Sequence, residues 1–162
     1  MRTRFALLAL AAFVLAASAS AETKISGEIQ CKSEPPATAA IPDRPNHAYA
    51  LVKATCTWTK PFDIGGSSVK DGTETISSEM SGEKGSDHGY FAGTTAGGDS
   101  YTVKFDGTSL SKDGKPSSNE GTWSFTGGTG KLKGLKGGGT YKSTAGADGR
   151  LTTRVDGGYS LP

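Results

Sequence analysis

From residue 24 onward the chain alternates. Apolar and polar residues exchange places every second position, in short runs that Gly, Asp, Ser and Pro keep interrupting. Successive side chains of a strand point to opposite faces, so this period belongs to strands with one face on a core. The clearest run is SYTVKFDG, 100–107, with Tyr101, Val103 and Phe105 on one face and Thr102 and Lys104 on the other. KISGEIQCK, 24–32, puts Ile25, Ile29 and Cys31 together. HAYALVKATCTW, 47–58, does the same for Val52, Ala54, Cys56 and Trp58, and GTWSFTG for Trp123 and Phe125. RLTTRVDGGYSL, 150–161, aligns Leu151, Thr153 and Val155. No long amphipathic helical pattern competes. Eight or nine short strands are predicted, and their spacing suggests a barrel or a sandwich. Repeated hairpin-like turns favour an antiparallel, up-and-down order. PPATAAIPDRPN, PFDIGGSSVKDG, EKGSD (83–87) and SKDGKPSSNE read as connections, because their turn residues outweigh any apolar period.

The first 21 residues stand apart. Arg2 and Arg4 precede an apolar run from Phe5 to Ala17, and Ala19 and Ala21 are placed as the small residues of a cleavage site. This predicts a signal peptide over 1–21, export to the periplasm or beyond, and a single domain over 22–162. The run is shorter than the ~20 residues of a spanning helix, and no later segment predicts a transmembrane span. The chain carries 18 Lys+Arg and 16 Asp+Glu; without Arg2 and Arg4 the balance is 16 and 16. A neutral domain lacks the basic excess of a nucleic-acid binder, so no nucleic-acid partner is expected.

Two cysteines in an exported chain read first as a disulfide, Cys31–Cys56, with two buried thiols as the alternative. Each lies on the apolar face of its run. Metal sites and cofactors find no motif. His47 and His88 are not spaced as a ligand pair, and Gly-x-Ser-x-Gly is missing.

GGTGKLKGLKGGGTYK, 127–142, is dense in Gly and Lys. It fails as a phosphate loop, because Gly130-Lys131 is followed by Leu132 rather than Ser or Thr. Leu132 and Leu135 are three apart, which puts them off phase in a strand. The stretch therefore predicts two wall strands, bent at Gly134 and turned near 137–139. Lys131, Lys133, Lys136 and Lys142 are expected to face solvent.

With GTWSFTGGTGKLKGLKGGGTYK, 121–142, and VDGGY near the end, the chain resembles the allene-oxide-cyclase-like barrel proteins. Bacterial exported members belong to that group, and dirigent proteins are more distant relatives. Weaker agreement comes from Cys56–Trp58 and GGDSYTVKFDGT. The resemblance implies an all-β, eight-stranded antiparallel up-and-down barrel of calycin-like form, with a lumen and often assembled as a homo-trimer. The plant cyclases' polar positions do not map onto this chain, so no catalytic residue is carried over.

The lumen-binding candidates are aromatics in phase with the strand cores: Trp58, Tyr101, Trp123 and Tyr141. Glu120 and Arg154 are expected to add convergent charge there. Glu74, Glu79 and Asp156 lie in or near strands with their direction open. The expected function is an exported barrel that binds a small hydrophobic or lipid-like molecule, or serves an accessory role without chemistry. A cyclase or isomerase acting on an unsaturated, oxygenated chain is the second reading. A surface interaction protein is the third. A buried carboxylate beside a Tyr in an open lumen would favour the second, and a lumen packed solid the third.

Overall fold

The computed structural model describes residues 22–146, 148 and 150–162. The predicted leader lies outside these residues. Ten strands follow one another: β1 (Thr23–Ser33), β2 (Ala37–Ala40), β3 (His47–Lys60), β4 (Asp63–Ile64), β5 (Ser67–Ser81), β6 (Lys84–Thr95), β7 (Ser100–Lys112), β8 (Lys115–Gly128), β9 (Lys136–Ala145) and β10 (Leu151–Ser160). A 3-10 turn, Gly130–Leu132, lies between β8 and β9. Every ladder is antiparallel. Around the wall the order is β3-β1-β10-β9-β8-β7-β6-β5, and a β3–β5 ladder closes the ring. Eight strands thus form a closed up-and-down barrel. β2 pairs with the far end of β3 and prolongs the line of β1 past Pro35 and Pro36; β4 makes a short hairpin with β5. Among the described residues, no helix is long and apolar enough to cross a membrane.

Strands reach further than the apolar period suggests. Residues 67–72 belong to β5, and 108–112 and 115–120 extend β7 and β8, where connections were expected. These ends continue past the apolar rows, so both of their faces can be polar while the ladder still pairs the backbone. Asp113 and Gly114 close the β7–β8 hairpin with φ of 53° and 72°, the left-handed pair that a two-residue type I′ turn uses.

The 127–142 stretch differs from the expectation in a specific way. β8 ends at Gly128, the 3-10 turn follows, and Leu132 and Leu135 both turn inward, 1% and 4% exposed. With Ile64, Val69 and Tyr159 they seal one end of the barrel. The off-phase leucines thus mark a floor, not a bent wall. Gly134 has φ +83°, and a Cβ there would meet Pro162 at 2.6 Å, so Gly is required. The expected turn at 137–139 is instead ladder: Gly137, Gly138 and Gly139 pair with Tyr159, Gly158 and Gly157. The four lysines are exposed, as predicted. Lys142 is not unneutralised, since Glu120 on the neighbouring strand lies 3.2 Å away.

Cys31 and Cys56 sit directly opposite each other on β1 and β3 and form a disulfide. Closing a 25-residue separation contributes about 3 kcal/mol on the chain-entropy account.

Candidate functional site

Inward glycines explain how the lumen is furnished. Along the register, Phe105 lies beside Gly89, Trp123 beside Gly139, and Tyr141 beside Gly121. A Cβ on Gly89 would meet the Phe105 ring at 2.3 Å, and one on Gly107 the Tyr141 hydroxyl at 2.2 Å. Each large ring therefore lies across the glycines of its neighbour strands instead of pointing straight to the barrel axis. The rings meet edge to face: Trp123 and Phe125 at 5.1 Å, Phe105 and Tyr141 at 5.8 Å, Trp58 and Phe62 at 5.0 Å. Such pairs add about 0.5–1.5 kcal/mol beyond their burial.

A cavity of about 110 Å³ remains between them. Among the described residues, eight aromatic side chains line it, and no Lys, Arg or His does. Trp58, Tyr101, Trp123 and Tyr141 all reach it. Glu120 and Arg154 do not. Both are exposed on the outer wall, where Glu120 faces Lys142 and Arg154 holds Asp156 at 2.8 Å. Their phase decides this: Glu120 alternates with inward Asn119 and Gly121, and Arg154 with inward Thr153 and Val155. The expectation of convergent lumen charge from that pair is corrected by the structure.

The charge inside comes from elsewhere. Glu74, midway along β5, lines the cavity between Ala54 and Phe91 in the ladder. Burial alone pushes its carboxyl up to about 7. Asp87 on β6 is 3% exposed and accepts hydrogen bonds from Ser78 Oγ and, at 2.7 Å, from Asn119 Nδ2. Asn119 Oδ1 in turn accepts from the Tyr141 hydroxyl at 2.8 Å. Burial and the nearby Asp87 and Glu74 push the Tyr141 phenol well above its ordinary range. Sequence reasoning left Glu74 without a direction, placed Asp87 in a turn and Asn119 in a loop. The available signal was phase: Asp87, Gly89, Phe91 and Gly93 alternate without a break through β6.

The polar ends of the four aromatics differ. Trp123 Nε1 donates to Thr140 O at 3.1 Å, and Tyr141 is engaged with Asn119. Trp58 Nε1 and the Tyr101 hydroxyl are buried without a hydrogen-bond partner among the described residues. The two are near enough for the indole to favour the Tyr101 phenolate slightly, but they lack hydrogen-bond geometry. Burial dominates and raises the Tyr101 phenol. An unpaired buried polar group costs about 1–3 kcal/mol, so such a pair in a cavity wall marks a place for an oxygen.

The Cys31 and Cys56 sulfurs and a Glu74 oxygen lie within 4.8 Å of one another. The sulfurs are spent in the disulfide, so the trio lacks the thiolates a metal would take. His47 is likewise occupied, with Nδ1 2.6 Å from Asp43 and Nε2 2.7 Å from Glu79. Those carboxylates, Asp43 first, hold it above its ordinary pKa, and it staples the β2–β3 turn to β5.

Comparison with known proteins supports the architecture. No family model and no curated protein matches the chain. A solved structure, described as a protein with unknown function from the DUF3224 family of Shewanella oneidensis MR-1, is similar with a TM-score of 0.54. Identity is 16%, and the match covers 88% of this chain and 99% of that chain. At that identity the likeness concerns the fold alone: a small β-barrel.

Proposed function

We propose that the protein binds a small, mostly apolar molecule carrying an acceptor oxygen in its barrel lumen. One observation carries the reading: an aromatic cavity whose wall holds two buried, unpaired polar atoms, Trp58 Nε1 and Tyr101 Oη. The size narrows the expectation. An engineered apolar cavity of roughly 150 Å³ takes benzene; a cavity of about 110 Å³ suits one ring or a short chain. A whole lipid tail does not fit it. The open cavity also speaks against a purely outward-facing interaction protein. Export follows from the predicted leader, and a homo-trimer from the resemblance to allene-oxide-cyclase-like barrels; both belong to the same proposal.

Titration with small cyclic ketones, followed by nitrogen-edited NMR, tests it. The chain has two Trp, hence two indole N–H signals. The Trp58 signal is expected to shift on binding while that of Trp123, bonded to Thr140, holds. If neither signal moves with any member of the panel, the reading fails.

A cyclase or isomerase remains the second reading, and Glu74 is the observation that favours it. A carboxyl poised near 7 in the same lumen as Tyr141 suits proton transfer at neutral pH. Turnover of an unsaturated epoxide that is abolished in Glu74→Gln would support it; unchanged turnover in that variant would remove it.

A further inference from the structure

We propose that the lumen's occupant is a small organic cation, a primary or quaternary ammonium that also carries an acceptor oxygen, with its charge against Glu74 and its substituents against the aromatic wall. The inference rests on the lumen-binding reading above and names the charge of the ligand.

Glu74 is an unanswered charge. No cationic side chain lines the cavity, and burial is the sole cause of its perturbation, so no protein group compensates it. The groups around it add nothing positive. Across the ladder stand Ala54 of β3 and Phe91 of β6, with the Cys31–Cys56 disulfide close by. Elsewhere in the lining are the Tyr101 and Tyr141 phenols. Asp87, buried outside that lining, accepts hydrogen bonds from the neutral donors Ser78 and Asn119.

The rings carry the second half of the argument. Aromatic faces are electronegative, and an ammonium within about 6 Å of a ring centroid gains 0.5 to about 2 kcal/mol, most when desolvated. Eight rings around one small cavity form such a surroundings on several sides. An anion would meet Glu74 and the ring faces together, both opposed to it. A neutral molecule would leave the acid buried and unpaired. A cation offsets the burial of Glu74 and uses the rings as well. Glu74 lies midway along β5, inside the wall, so the site suits a free cation and not a lipid headgroup held at the rim.

Calorimetric titration with shape-matched pairs tests the idea: choline against 3,3-dimethylbutan-1-ol, and ethanolammonium against propan-1-ol. Near pH 8 each cation is expected to bind at least about tenfold tighter than its neutral partner. Binding a cation favours ionised Glu74, so protons are released and affinity rises with pH through about 7. The preference should shrink as the pH falls below that range and disappear in Glu74→Gln. Glu120→Gln, which removes a carboxylate from the outer wall and leaves the lumen alone, should keep it. The pH series on the unaltered protein reads the same carboxyl should Glu74→Gln not fold. If the alcohols bind as well as the cations, or the preference survives Glu74→Gln, the cation is wrong and lumen binding stands. If neither member of either pair binds, both readings fall. Sedimentation with phosphatidylcholine vesicles, without binding of any free cation, would also overturn it in favour of a membrane surface.

Discussion

Glu74 and Glu120 occupy comparable places in the chain, each within a long strand of the same wall. Glu120 faces solvent and meets Lys142 at 3.2 Å, with Arg154 and Asp156 forming another pair on the same outer surface. Glu74 faces the lumen, where burial pushes it up to about 7 and no cation answers it. Inside, rings and glycines alternate; outside, Thr, Ser and paired charges do. The difference teaches that this barrel balances charge on its outer face and leaves one charge unbalanced in its core. Outer pairs of this kind contribute little, about 0–1 kcal/mol, because water screens them. An inner carboxyl without a partner is costly in its ionised form, and a fold keeps such a group readily where a ligand answers it.

The contrast can be broken or sharpened by stability measurements. The largest effect should come from the inward disulfide. Cys31→Ala with Cys56→Ala is expected to lower stability by about 3 kcal/mol, read from denaturant midpoints. A loss no greater than that of an outer ion pair would mean that the β1–β3 seam is held by its ladder alone.

Next comes the inner carboxyl. Its folded pKa is raised above the ordinary 4.5, so the native state binds more protons than the unfolded chain between about 4.5 and 7. The contribution of Glu74 to stability should therefore fall as pH rises through that window and level off above it. Glu74→Gln removes that contribution and should stabilise the barrel by up to about 3 kcal/mol well above pH 7, with little effect at pH 4. Glu120→Gln should do neither. Thermal melts of both variants across pH compare the two faces directly, and equal pH profiles would erase the distinction.

The smallest effect belongs to the basic outer stripe. Replacing Lys131, Lys133 and Lys136 together by Gln should change stability by no more than about 0.5 kcal/mol per site, because all three are exposed. Unfolding of that variant in a thermal melt would show that the floor turn depends on its charges as well as on Leu132 and Leu135.

Much of this molecule was legible in the chain, and its misses have separate causes. Alternation placed Trp58, Tyr101, Trp123 and Tyr141 on inward faces and put the two cysteines in the same layer. It did not reveal Asp87 or Asn119, whose polar side chains looked like turn and loop. It also sent Glu120 and Arg154 into the lumen on chemistry, although their own phase, next to Gly121 and Val155, already pointed outward. At Leu132 and Leu135 a strand period was imposed on residues that belong to a floor turn.

By itself the sequence determined that strands alternate, where most of them turn, and which residues share a face within each strand. These are local consequences of side-chain period and backbone preference. Which face became the lumen at polar positions, and which neighbours met across the ring, only the closed barrel decided. Closure sets the register between strands far apart in the chain, and register brings Glu74 to the Cys31–Cys56 disulfide and Tyr141 to Asn119. Among the described residues it also leaves the indole of Trp58 and the hydroxyl of Tyr101 without hydrogen-bond partners. No run of residues encodes that vacancy, because it arises from the volume that eight strands enclose and their side chains do not fill.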